Sequence, residues 1–222
     1  MNGRFDSLYN EFLNLKDVVI QRLQDDNNRL KEKIVVLEKR VKDAESHSHL
    51  LEQYRRRNNI EIAGISDSVC DEDLESKVID ILAEIDVNVE SKDIEACHRI
   101  GKSSPKKSIV RFMNRKVCKS ALKNRKKIRS VDATKLELPI RSKLFINENL
   151  SPYFNKIAFQ CRRLKRAGKI MKVYSHEGIV HIVRTVQEKP KKIIHMNNLT
   201  FMFPEFDFED DNVHDGSSAF AT

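Results

Sequence analysis

The sequence has no tryptophan and few of the residues that mark fibrous, disulfide-linked or membrane-spanning proteins. Of its 222 residues, 6 are glycine and 5 are proline, too few for a collagen-like or linker-rich chain. The four cysteines form no Cys-X-X-Cys pair, and their wide spacing argues against a zinc module and against a disulfide scaffold. No apolar run is long enough to predict a helix that spans a membrane.

Motifs of catalysis are missing as well. The sequence contains no P-loop, no Gly-X-Ser-X-Gly and no His-Glu-X-X-His. His47 and His49 diverge around a predicted helix, and Cys97-His98 has no further ligand at metal spacing. We therefore expect a protein that is not an enzyme and needs no metal or other cofactor. No apolar stretch typical of a secretory signal follows Met1, so we expect the protein in the cytoplasm, or also in the nucleus.

Charge is abundant, and its sign changes along the chain. The net charge of +8 divides into −1 for residues 1–54, +6 for 55–135, +9 for 136–204 and −6 for 205–222. Between Lys102 and Arg129 there are twelve basic and no acidic side chains, whereas an ordinary solvated face mixes both signs. Such a block favours a polyanionic partner. We expect residues 205–222 to form a disordered acidic tail that competes with phosphates for the basic surface.

Residues 4–54 carry apolar side chains at the heptad spacing of a coiled coil. The predicted oligomerisation residues are Ile20, Leu23, Asn27, Leu30, Ile34, Leu37, Val41 and Leu51. β-branched residues at one seam position and a buried Asn27 favour two strands. Residues 40–45 (RVKDAE) resemble instead a pattern that favours trimers. The sequence therefore predicts a parallel homo-oligomer, either a dimer or a trimer.

Residues 55–135 and the segment after them predict a compact α/β unit. The predicted elements are a strand at 60–65, a helix capped by Ser68 or Asp71 with one apolar face from Leu74 to Ile85, strands at 94–100 and 108–113, a helix from 115 to about 127 and a strand at 143–147. A turn is predicted at 103–105. The order β-α-β-β-α-β is that of the ferredoxin-like sheet of RNA-recognition motifs. The base-stacking positions of that sheet would fall on Glu61, Lys107 and Ile109, none of which is aromatic.

Residues 136–204 predict a small basic α/β domain. Ser151-Pro152 is typical of a helix start, and Gly168 of a helix end. A hairpin is predicted at 170–174 and 179–184, followed by a short helical turn after 189–192 and a closing strand at 199–203. Four basic residues crowd the last turn of the predicted helix, and the helix dipole accounts for only one or two of them.

Five segments carry a family resemblance. They are 56–65 (RRNNIEIAGI), 98–102 (HRIGK), 109–112 (IVRF), 145–152 (FINENLSP) and 163–170 (RLKRAGKI). In this order they resemble the first-open-reading-frame proteins of non-LTR retrotransposons, especially invertebrate ones. They are equally similar to the baculovirus few-polyhedra (FP) protein.

The resemblance implies a coiled-coil homo-oligomer in which an RNA-recognition-like domain and a small basic domain clamp single-stranded RNA or DNA. Its retrotransposon members coat their own RNA and act as nucleic-acid chaperones. The chain departs from them in having a short coiled coil and no zinc knuckles. The alternative function, which the baculovirus likeness allows, is that of a structural adaptor in virion or occlusion-body assembly.

The candidate nucleic-acid-binding residues come from the resemblance and from the charge pattern. The resemblance implies the junction at 57–59, Arg162, Arg163 and Tyr174. The whole candidate set is Arg55, Arg56, Arg57, Asn58, Asn59, Arg99, Lys106, Lys107, Arg111, Arg115, Lys119, Lys123, Arg162, Arg163, Arg166, Lys169, Lys172 and Tyr174.

Overall fold

The protein is an α+β molecule, and the predicted class is confirmed at that level. The structure, a computed structural model, describes residues 2–101, 106–131, 136 and 143–208. It contains one long amino-terminal helix and two antiparallel sheets. The chain divides into two compact units, residues 1–48 and residues 49 onward, which are described separately.

The first unit belongs to helix α1, which spans Asn2–Arg55. Neither glycine nor proline follows Gly3 within this helix, so no residue of low helix propensity interrupts it. The apolar residues predicted to form a seam are exposed on it: the exposed fractions are 63% for Leu23, 57% for Leu30 and 56% for Val41. The chain by itself therefore leaves an apolar stripe along α1 in water. No helix in the described ranges is both long and apolar enough to cross a membrane.

The second unit begins with a four-stranded antiparallel sheet of order β2-β3-β1-β4. Its elements are β1 (Asn59–Ala63), α2 (Leu74–Ala83), β2 (Ile94–Ile100), β3 (Lys107–Phe112), α3 (Arg115–Asn124) and β4 (Phe145–Glu148). Ile60 faces Val110 across the β1–β3 pair, and Ile62 faces Ile146 across β1–β4; all four side chains are buried. This alternation places one sheet face against the core that α2 and α3 complete.

Short 3₁₀ helices flank two of these elements. One, Ser91–Asp93, precedes β2, and the other, Arg125–Ser130, continues directly from α3. Helix α3 starts where the Asn114 side chain accepts a hydrogen bond of 2.9 Å from the backbone N–H of Lys116. Residues 125–127, which were predicted to continue the α-helix from 115, therefore lie in the tighter 3₁₀ helix.

The second sheet has the order β5-β6-β7 and packs against helix α4. Its elements are α4 (Pro152–Arg166), β5 (Lys172–His176), β6 (Ile179–Val183), β7 (Lys191–Ile193) and α5 (Met196–Met202). Ser151 caps α4 by accepting a hydrogen bond of 3.4 Å from the N–H of Phe154. Glu177 and Gly178 form the two-residue hairpin loop with positive φ at both positions, as a type I′ turn requires.

Of two predictions for the end of this domain, one is confirmed and one is wrong. A short helix, α5, follows residues 189–192 as predicted, after strand β7, whose pairing with β6 buries Ile193. Residues 199–203 form no strand, since Met196–Met202 is helix α5, with Leu199 buried and Met196 and Met202 packed on the same core. An apolar residue every third position suits a helix face as well as a short strand.

The predicted acidic tail starts later than expected. Phe206 and Phe208 pack on the core of the second sheet, so residues 205–208 are part of the folded unit. The remaining tail, 209–222, and the predicted turn at 103–105 lie outside the described residues.

The environments of the four cysteines predict very different thiol reactivities. Cys70 is exposed, whereas burial raises the pKa of Cys97 and Cys118 to about 11 and that of Cys161 to about 12. A thiol with a raised pKa has little reactive thiolate at pH 8. A disulfide reagent at pH 8 should therefore label one cysteine per folded chain quickly and all four after unfolding in urea. Cys70→Ser should abolish the fast labelling; rapid labelling of a second cysteine would contradict the burial.

Candidate functional site

A first cleft lies within the second unit, between the last turn of α1, helix α3 and the β5–β6 hairpin. Its volume is about 340 Å³. The basic side chains that line it are Arg56, Arg57, Arg115, Lys119, Lys123 and Arg125. Two carboxylates, those of Glu148 and Glu177, line it as well. The cleft is therefore strongly positive.

A second cleft of about 330 Å³ borders the Arg125–Ser130 helix, β4, α4 and β5. Its basic lining residues are Arg125, Lys126, Arg129 and Arg162, and no acidic residue lines it. Two aromatic residues also line it, Phe145 with an exposed fraction of 47% and Tyr174 with 39%. This cleft therefore combines cationic and aromatic groups.

The two clefts adjoin, because Arg125 and Ser175 line both. We call the two clefts together the basic groove. Nine basic residues line the groove against two acidic ones. Clefts lined by one sign of charge focus the electrostatic field and concentrate ions of the opposite sign.

The buried amide of Gln53 holds the walls of the first cleft together. Its Nε2 donates to the carbonyl oxygen of Asn149 at 3.1 Å, and its Oε1 accepts from the N–H of Ser151 at 2.7 Å. Gly178, at the hairpin tip, packs so closely that a Cβ there would lie 2.6 Å from Gln53 Nε2. One side chain thereby connects α1, the start of α4 and the hairpin.

The junction after α1 is tied into the same region. The Oδ1 of Asn149 accepts hydrogen bonds from Arg56 Nη1 at 3.2 Å and from Asn59 Nδ2 at 3.4 Å. The guanidinium of Arg57 lies 3.8 Å above the ring centre of Tyr54. Asn58 donates to the carbonyl oxygen of Phe112 at 3.3 Å and so joins the junction to β3. Arg56, Arg57 and Asn59 therefore have structural contacts in addition to their position at the groove, whereas Asn58 contacts β3 only.

An ion pair crosses the first cleft. Lys119 Nζ lies 2.9 Å from Oε1 of Glu177, and Arg115 Nη2 lies 3.4 Å from the same oxygen. The hydrogen bond from Lys119, and next the positive charge of Lys119, lower the pKa of the Glu177 carboxyl below its usual value. The tip of the hairpin thus contributes one of the two carboxylates in a site whose other charged residues are cationic.

Eight predicted residues line the basic groove. They are Arg56, Arg57, Asn59, Arg115, Lys119, Lys123, Arg162 and Tyr174. The groove also contains residues outside the predicted set, namely Arg125, Lys126, Arg129, Phe145 and the hairpin tip at 176–178. The signal for the three basic residues was the acid-free run to Arg129, whereas Phe145 was noted only as the first residue of a resemblance segment, with no binding role.

Arg99 has a structural role in place of the predicted binding role. Its side chain is only 7% exposed. It donates to the carbonyl oxygens of Ser66 and Val69, each at 2.8 Å, and pairs with Asp71 at 3.3 Å. These contacts fix the loop after β1, so the guanidinium is not available to a ligand.

Two further predicted residues lie on the sheet in ion pairs. Lys107 Nζ lies 3.0 Å from Glu61 Oε1, and Arg111 Nε lies 2.8 Å from Glu95 Oε2. Glu61 is opposite Ile109 in the β1–β3 register. The three positions predicted for base stacking therefore hold an ion pair, Glu61 with Lys107, and an aliphatic residue, Ile109.

The remaining predicted residues lie outside the groove lining. Arg163 lies over the ring of Phe206, 5.3 Å from its centre, and Asn58 contacts β3 as described above. The exposed ones are Arg55, Lys106, Arg166, Lys169 and Lys172. In the described part of the chain, His, Cys, Asp and Glu form no cluster of three suited to a metal ion.

A comparison of the chain with protein-family models found no match, and neither did a search of the curated proteins.

Replacement of Gln53 should test the connection between the cleft walls. Gln53→Ala removes both hydrogen bonds and leaves the buried N–H of Ser151 and the buried carbonyl of Asn149 without these partners. The free energy of unfolding should therefore fall by about 2–4 kcal/mol. Urea unfolding at a fixed protein concentration measures it. Gln21→Ala is the matched control, because Gln21 is exposed on the same helix and bonds only to Asp25 among the contacts described. Equal effects of the two changes would contradict the role of Gln53.

Proposed function

We propose that the protein is a nonenzymatic, oligomeric binder of single-stranded nucleic acid, in particular RNA, which packages the strand and acts as a nucleic-acid chaperone. The observation that carries the proposal is the excess of nine basic over two acidic residues along the basic groove. Lys and Arg neutralise phosphates and release counterions, which supplies most of the affinity in binding without sequence preference.

The four-stranded sheet is proposed to be a variant of the RNA-recognition fold. The element order β1-α2-β2-β3-α3-β4 and the strand order β2-β3-β1-β4 support this assignment. The absence of aromatic residues at the stacking positions argues against binding on the sheet face. We therefore assign the contacts with the nucleic acid to the basic groove, which is lined by cations from α3 and α4.

The first unit is proposed to assemble the chains through a parallel coiled coil. Support comes from the exposed seam residues on α1, since apolar stripes of this kind are normally covered by a partner. Assembly brings several basic grooves to one nucleic-acid strand. Once one groove has bound, the other grooves of the oligomer bind the same nucleic acid at high effective concentration. Many weak phosphate contacts allow the bound nucleic acid to change its pairing without dissociating, which is what a nucleic-acid chaperone must permit.

Substitutions in the groove test the binding mode. Arg125→Gln with Arg162→Gln should weaken binding of a single-stranded oligonucleotide about tenfold, at about 0.7 kcal/mol for each lost contact. The slope of log affinity against log salt should become shallower by about 1.4, since each single-strand phosphate contact contributes about 0.7. Fluorescence anisotropy at several salt concentrations measures both quantities.

The control for this test removes the same charge elsewhere. Lys92→Gln with Lys189→Gln changes two exposed residues that do not line the groove, and should leave the salt slope unchanged. If both double variants lower the affinity and the slope equally, net charge and not the groove determines binding.

Substitutions on α1 test assembly. Leu30→Asp with Leu37→Asp should give monomers in light scattering and should lower the affinity for a long oligonucleotide about 10²-fold or more, because effective concentration is lost. Val35→Asp with Val36→Asp is the matched control: these residues are 65% and 57% exposed, against 57% and 54% for the two leucines, but lie off the seam.

Equal masses of the two α1 variants would rule out the coiled coil. If the wild-type protein assembles but binds no oligonucleotide at low salt, the structural-adaptor function replaces the one proposed here.

A further inference from the structure

We infer that Lys119 and Arg115 form a phosphate-binding subsite of the basic groove, which the carboxylate of Glu177 fills until a polynucleotide displaces it. The inference rests on the proposed function, and it adds a specific site and a residue that competes for it. Binding at this subsite exchanges one oxyanion for another and involves no covalent step.

The contacts at the subsite are those that a phosphate oxygen would make. One carboxylate oxygen of Glu177 is 2.9 Å from Lys119 Nζ and 3.4 Å from Arg115 Nη2. The two cations project from α3, whereas the carboxylate comes from the β5–β6 hairpin on the other side of the first cleft. The carboxylate therefore stands in for an external anion between two donors that also suit phosphate.

The backbone conformation of the hairpin loop does not explain the presence of a glutamate at position 177. Its φ is +51°, in the left-handed region that Asn, Asp and Gly occupy most readily in type I′ turns. Glutamate costs more at this position than those residues, but its longer side chain reaches α3. The backbone of the tip is fixed independently, since the N–H of Gly178 donates to Glu148 Oε2 at 3.0 Å.

The exposure of the pair makes it displaceable. The side chains of Glu177, Lys119 and Arg115 are 51%, 56% and 39% exposed, in contrast to 7% for Arg99 on β2. Exposed ion pairs contribute little to stability, so a ligand can replace this one at small cost. A glutamate is ionised at neutral pH, and the hydrogen bond from Lys119 lowers the pKa of Glu177 further, so the competition operates under ordinary conditions.

The tethered carboxylate favours polymers over small anions. A free phosphate must compete with an anion that is held beside the same cations at high effective concentration. A polynucleotide is held by the other cations of the groove as well, so it displaces Glu177 as one contact among several. The ligand class of this subsite is therefore the phosphate of a continuous strand.

Glu177→Gln tests the inference, and Glu188→Gln is its matched control. Glu188 pairs with Arg184 at 2.8 Å and lines neither cleft, so the control removes the same charge and also frees an arginine. With a single-stranded oligonucleotide in anisotropy titrations, Glu177→Gln should bind about two- to fivefold more tightly than wild type, the range set by an exposed ion pair. Its salt slope should steepen by about 0.7 or more. Glu188→Gln should leave the slope unchanged.

Lys119→Gln completes a double-mutant cycle. It should cost little in the wild type, where the contact of Lys119 with the nucleic acid replaces its ion pair with Glu177, and several-fold in the Glu177→Gln background, where no ion pair is given up. Additive effects of the two changes would overturn the subsite.

A second probe separates this inference from the proposed function. Inorganic tripolyphosphate, followed by the shift in Tm, should stabilise Glu177→Gln more than the wild type or Glu188→Gln. If the wild type binds the oligonucleotide but Glu177→Gln and Glu188→Gln behave alike, the subsite is wrong and the proposed function stands. If no variant binds the oligonucleotide, the proposed function is wrong, and the tripolyphosphate shift alone decides whether Lys119 and Arg115 bind phosphate.

Discussion

The buried amide of Gln53 is the contact on which the arrangement of the second unit depends. It bonds to the backbone on both sides of Leu150, and it leaves room at the hairpin tip for nothing larger than glycine. A buried amide that lost these partners would be costly, so the last turn of α1 is held against two other elements. Because these elements form walls of the first cleft, this packing places Arg56 and Arg57, next to the last turn of α1, beside the hairpin tip.

Electrostatics then divides the basic residues into two groups. Arg99, Lys107 and Arg111 have carboxylate partners nearby and support the loop after β1 or the open sheet face. The cations of the groove outnumber the carboxylates there, and this excess is what a polyanion would neutralise. Within the groove, Arg56 pairs with Glu52, and Glu177 contacts two further cations from the opposite wall.

Local sequence signals were sufficient to predict most of the helices and strands. The lack of glycine and proline after Gly3 predicted a continuous α1, and the alternation around Ile60 and Ile62 predicted β1. Ser151-Pro152 marked the start of α4. The signals failed at 199–203, because a few apolar residues at short spacing fit a strand or a helix until tertiary packing selects one. They failed also at Arg99, where charge predicted a ligand contact and the fold buried the guanidinium.

The sequence by itself determined the long helix with its apolar stripe, the order of the strands along the chain and the concentration of positive charge in two stretches. These features depend on residues close together in the chain, whose propensities and periodicity are local properties. Only the tertiary structure decided that Arg125 and Arg162 share a cleft, that Phe145 lines it and that Glu177 faces Lys119. Such proximities arise from packing between distant segments, which no local pattern encodes.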